Sequence, residues 1–137
     1  MTPAVREASS RASDIHDRAM ELDSRARLKK LEGHPAEARQ LLLAAVEQAK
    51  QAAQVIRSGD VPEPSRSIIL RSGATLAVDA RDYATARLLI AQALTGQPPL
   101  DVRWDLGDLL DSLPIVDNPR FFSDKAPASP RELLAVA

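Results

Sequence analysis

Ala26-Arg27-Leu28 … Gly33-His34-Pro35-Ala36-Glu37-Ala38-Arg39-Gln40-Leu41-Leu42 … Ala45-Val46 recurs forty-eight residues later as Ala74-Thr75-Leu76 … Arg81-Asp82-Tyr83-Ala84-Thr85-Ala86-Arg87-Leu88-Leu89-Ile90 … Ala93-Leu94. Each copy reads as helix, tight turn, helix. A repeated helical hairpin buries its apolar face against its neighbour, so the duplication predicts an all-α stack, and such stacks are usually surfaces for binding other proteins.

The flanking residues extend this pattern outward. Ala8, Ala12, Ile15, Ala19, Leu22 and Ala26 recur at alternating steps of four and three, the period of a seam between nearly antiparallel helices. A first helix is therefore expected from Pro3 or the Ser9-Ser10 region to about Glu32. Gly33 stops it, Pro35 suits the first turn of the next helix, and Glu37 is favourable near that N-terminus. The second helix is predicted from Pro35 to about Arg57, burying Ala38, Leu41, Leu42, Ala45, Ala49, Ala52, Ala53 and Ile56.

Ser58-Gly59-Asp60-Val61-Pro62-Glu63-Pro64 breaks the chain. A third helix is predicted over Ser65 to Ala80 and a fourth over Tyr83 to Thr95, with Asp82 as N-cap between them. Both are apolar around most of their circumference, so both are expected to be central. After Gly96-Gln97-Pro98-Pro99 a fifth helix runs from about Asp101 to Leu113, burying Val102, Leu106, Leu109 and Leu113, and Pro114 ends it. Trp104 flanks that stripe and is expected to cover the open end of the stack.

The helical domain thus spans residues 1–113, followed by a Pro-rich tail over 114–137. Ser129-Pro130-Arg131-Glu132 is a capping box that opens a helix with almost no chain left. Phe121 and Phe122 cannot both be buried by local structure, so they dock in the groove of their own chain or of a neighbouring copy, engage a partner, or fold back as a cap on the stack.

Composition excludes several function classes. The 137 residues suffice for one domain with a real core. Eighteen basic and 19 acidic side chains leave a formal charge of −1, without the basic excess that phosphate binding needs, so no nucleic-acid partner is expected. There is no cysteine, hence no disulfide and no thiolate metal site, which fits a reducing cytoplasm. The start lacks the apolar stretch of a secretion signal, and Leu41 to Val46 is far too short an apolar run for a membrane span.

Around the second turn, Asp82-Tyr83, Ala86, Ile90, Ala93-Leu94 and Pro98 resemble the tetratricopeptide repeat, with Ala74 and Ala77 as small residues of its first helix. Gly33, Ala38, Leu42 and Ala45 match the same frame in the first copy, while Leu22 and Leu70 stand where the family has an aromatic. The segment from Pro64-Ser65-Arg66-Ser67 through Gly96-Gln97-Pro98-Pro99 is also similar to part of bacterial proteins of this fold. The resemblance implies a right-handed stack of two antiparallel hairpins plus a capping helix. It also implies a peptide groove lined by the first helix of each hairpin. On that frame the groove residues are Asp23, Arg27 and Lys30 in one copy, and Arg71, Thr75 and Val78 or Asp79 in the other. Arg27, Lys30 and Arg71 suit a peptide carboxylate, because guanidinium and ammonium bonds to it are strong. Arg39 and Arg87, equivalent in the two copies, face away from the seam and are expected to brace neighbouring helices.

Chemistry finds little support. His16 sits beside Asp17 and His34 lies in a turn, neither with a second histidine at helical spacing. Asp101, Asp105 and Asp108 form an acidic face on the fifth helix without a calcium-loop pattern. There is no phosphate loop and no nucleophile elbow. The expectation is a non-enzymatic protein–protein interaction module without cofactor or metal. Its peptide or partner site is formed by Asp23, Arg27, Lys30, Arg71, Thr75, Phe121 and Phe122. An alternative is a structural subunit that dimerises through the seam of its first helix.

Overall fold

The computed structural model describes residues 2–114, which form five α-helices: α1 (Pro3–Leu31), α2 (Pro35–Ser58), α3 (Ser65–Asp79), α4 (Tyr83–Leu94) and α5 (Leu100–Ser112). Among the described residues there is no strand, and no helix is long and apolar enough to cross a membrane. The tail with Phe121, Phe122 and the expected short terminal helix lies outside the described residues.

Local chemistry sets the helix ends. Thr2 caps α1, its hydroxyl accepting the Val5 amide at 3.2 Å, with Pro3 in the first turn. At the other end Gly33 turns left-handed, at φ 84°. There the His34 amide donates to Lys29 O (2.9 Å) and the Gly33 amide to Lys30 O (3.1 Å), a Schellman closure. Forty-eight residues later the same closure recurs. Arg81 takes φ 62°, the Asp82 amide donates to Ala77 O (2.8 Å) and the Arg81 amide to Val78 O (2.9 Å). Asp82 then caps α4 as expected, accepting the Thr85 amide at 3.2 Å and the Thr85 hydroxyl at 2.7 Å. The internal repeat is therefore a repeat of turn geometry as well as of letters.

In the first hairpin α1 and α2 run antiparallel: Lys29 meets Glu37, and Arg18 meets Gln48. Ala12, Ile15, Ala19 and Ala26 of α1 are buried, together with Ala38, Ala45, Val46, Ala49, Ala52, Ala53, Val55 and Ile56 of α2. Alanine lets the two backbones approach closely. Two seam positions depart from expectation: Ala8 and Leu22 are only half-buried, and beside Leu22 it is Asp23 that is buried.

The hub is α3, which packs on α1, α2, α4 and α5. Gly73 makes that possible, since a Cβ there would lie 3.1 Å from Ala49 Cβ and 3.2 Å from Leu89 Cδ1. The expectation that α4 is equally central is corrected. It packs chiefly on α3 and α5, and its outward side leaves Leu88 69% exposed, with Ala84 and Ala91 open above and below. A second correction concerns Trp104. On α5 the buried stripe is Val102, Leu106 and Leu113, and Trp104 projects the other way, 65% exposed, so it covers nothing among the described residues.

Candidate functional site

Three chain segments meet beside the first turn: the last turns of α1, the first turns of α2 and the C-terminus of α3. They enclose an open cleft of about 500 Å³. Its apolar floor comes from Ala26, Pro35, Ala38 and Leu42, and its rim carries Asp23, Arg27, Lys30, Arg39 and Asp79. The seam periodicity of α1 brings Asp23, Arg27 and Lys30 to one side at helical steps of four and three.

The rim charges differ in how far they are committed. Asp23 is buried, and its Oδ2 accepts Arg27 Nη2 at 2.8 Å, while the rest of the Arg27 side chain is exposed. A carboxylate taken out of water needs such a partner. Arg39 donates from Nη1 to Ala80 O at 3.0 Å, tying off a carbonyl at the end of α3. The Asp79 carboxyl is held above its ordinary range, first by burial and next by the neighbouring Asp23 charge, against the pull of Arg27 and Lys30. Lys30 forms no ion pair among the described residues. Three cations and two carboxylates therefore ring an apolar floor, with the exposed Lys30 ammonium acting on Asp79 without a close ion pair.

A second hollow of about 440 Å³ lies between α3 and α5, lined by Arg71, Thr75, Asp105, Asp108, Leu109 and Ser112. Arg71 Nη1 is 2.7 Å from Asp105 Oδ2, and the Thr75 hydroxyl donates to Arg71 O at 3.1 Å. Arg71 is thus engaged by α5 and not free for a carboxylate. The residues expected to share one trough are divided: Asp23, Arg27 and Lys30 line the first hollow, Arg71 and Thr75 the second, and the two linings have no residue in common. Phe121 and Phe122 lie outside the described residues.

The equivalent arginines do brace neighbouring helices. Arg39, from the second helix of one hairpin, reaches the Ala80 carbonyl at the end of the following helix, and Arg87 reaches Pro114 O just beyond α5. That Arg39 also walls the cleft was not expected. Its place at the start of α2, opposite the end of α3, depends on how the hairpins rotate against each other. The Arg71–Asp105 contact, thirty-four residues apart, carries no local sequence signal either.

Neither described histidine lines either hollow. His16 is half-buried, and burial lowers its pKa against the opposing charge of Asp17. No group of three or more His, Asp or Glu side chains fit to hold a metal occurs among the described residues. In comparison with known proteins the chain matches no family model, no curated protein and no solved structure.

Proposed function

We propose that this protein is a non-enzymatic interaction module. In this reading the two hairpins and α5 stack in the right-handed manner of tetratricopeptide repeats, and the cleft at the first turn captures a segment of a cytoplasmic protein partner. The observation that carries it is the open cleft with its apolar floor and an exposed Lys30, in no close ion pair, at the rim. The identical closure of the two turns and the recurrent arginine brace support the repeat. Apolar side chains of the bound segment would cover Ala26, Ala38 and Leu42, and an acidic side chain would meet Lys30 and the outer edge of Arg27. The homodimer alternative gains no support from the α1 seam, because Ala19 is buried within one chain against α2 and is not available to a twin.

A peptide-display selection on the full-length protein tests this proposal. Selected peptides should pair an acidic residue with apolar neighbours and shift the amide resonances of Ala26, Ala38 and Leu42. Lys30→Glu should weaken them about tenfold, near 1.4 kcal/mol, the scale of one charge-assisted contact. Peptides indifferent to Lys30→Glu, or shifts that map elsewhere, would remove the cleft from consideration.

A further inference from the structure

The outer face of α5 leaves three large apolar side chains open among its carboxylates at the end of the stack. Leu100, Trp104 and Leu110 are exposed there. Between them Gly107 leaves free space, for a Cβ at that position would meet nothing within 4 Å. A helix that ends a stack normally turns a polar side to water or is capped. This one turns its tryptophan outward.

What lies next in the chain fits that face. Arg87 holds the Pro114 carbonyl, so the chain leaves α5 from a fixed point beside α4. Twenty-three residues follow, and Phe121 comes seven residues after Pro114. Seven extended residues reach about 23–25 Å. Trp104 lies ten residues back along α5, about 15 Å at the helical rise. The Phe121–Phe122 pair can therefore return to any point on this face. Charge agrees with reach. Arg120 precedes the two rings, and α5 presents Asp108 and Asp111, neither in an ion pair among the described residues.

We propose that the segment 119–125 of the same chain folds back along the outer face of α5. It seats the Phe121–Phe122 pair against Leu100 and Trp104 over the gap at Gly107, with Arg120 beside Asp108. A tether of seven residues holds the segment at an effective concentration in the millimolar range, which favours the chain's own tail over a second copy. The tail then serves as the terminal cap of the stack, a role separate from the cleft beside the first turn.

Trp104 is the only tryptophan, so its fluorescence reports on this face alone. In the full-length protein its emission should lie at shorter wavelength, and acrylamide should quench it less, than in the Phe121→Ala/Phe122→Ala double variant. Arg120→Glu should move both readings toward the double variant, and adding Asp108→Arg should move them back. All differences should be independent of protein concentration. Equal emission and quenching in the parent and the double variant would overturn the proposal. So would a difference that grows with protein concentration, which would assign the face to a second copy. Neither result touches the cleft proposal, which is read on Ala26, Ala38 and Leu42.

Discussion

Gly33 and Arg81 occupy equivalent places in two turns closed by the same hydrogen bonds, at φ 84° and 62°. Left-handed backbone costs an ordinary L-residue about 1–2 kcal/mol, and glycine does not incur it. Nothing lies within 4 Å of a Cβ built on Gly33, so Gly33→Ala tests the backbone term without a clash. It should lower stability in urea titrations by about 1 kcal/mol. Arg81→Gly should raise it by a smaller amount, since glycine gives back about 0.5–1 kcal/mol through the unfolded chain. Asp79 provides a test by pH. Its folded pKa is raised above the ordinary 3.8, first by burial and then by Asp23. The native state therefore holds the proton more tightly, and stability falls as pH rises from 3.8 through the folded value. Asp79→Asn should be more stable than the parent at pH 7, with the gain fading below pH 3.8, where both states of the parent are protonated. Urea midpoints for the two proteins at pH 7 and pH 3 check it, and an equal gain at both values would refute the assignment.

At the scale of elements, the loops before α3 and after α4 are locked together. Glu63 Oε1 accepts the Ser67 amide and hydroxyl at 3.1 and 2.7 Å, capping α3, while its Oε2 accepts the Gln97 amide at 2.9 Å. Arg66 donates to Gln92 O at 2.8 Å, Ala93 O at 3.3 Å and Thr95 Oγ1 at 3.1 Å, closing the end of α4. Burial pushes the Glu63 carboxyl up. The Ser67, Gln97 and Arg66 contacts together outweigh it, so the net pKa lies below the ordinary 4.5. This stability is present above pH 4.5 and is lost as pH falls through the depressed folded value. Arg66→Ala should cost about 1–3 kcal/mol by removing the charge-assisted bonds to Gln92 O and Ala93 O, which keep only their contacts with Thr95 and Gly96, seen as an earlier melt and faster amide exchange at the end of α4. Helix boundaries were legible in the sequence because their causes are local: Gly33 as a stop, Pro35 in a first turn, Asp82 as a cap, Pro114 beyond the last helix. The orientation of faces was not. The burial of Asp23, the open side of α4 and the outward Trp104 all follow from how one hairpin sits on the next. The same cause hid the engagement of Arg71 by Asp105, so five expected site residues divide between two hollows.

Across the whole molecule, packing is uneven in a way that bears on the cleft. A large core joins Ala12, Ile15, Ala52, Ile56, Leu70, Ile90 and Leu106, drawing on all five helices. The end that holds the cleft rests on a smaller cluster of Ala19, Ala45, Val46, Ala49, Leu76 and Ala80. The two helices of the first hairpin pack far more on each other than on the second hairpin, and α5 packs on α3 and α4 but little on the first hairpin. An array built this way gains stability from neighbour to neighbour, and its parts open separately before the whole unfolds. Leu106 tests this because it is fully buried and belongs to the last helix. Leu106→Ala should cost about 2–5 kcal/mol locally, through lost burial and the cavity left behind. In native-state hydrogen exchange that loss should appear at α5 and at the Ile90 and Leu70 amides. The amides of Ala45 and Ala49 in the first hairpin should keep most of their protection. A uniform loss at every amide would mean that the helices unfold as one cooperative block. The cleft would then share the stability of the main core, and would not lie in a part of the fold free to adjust to a partner.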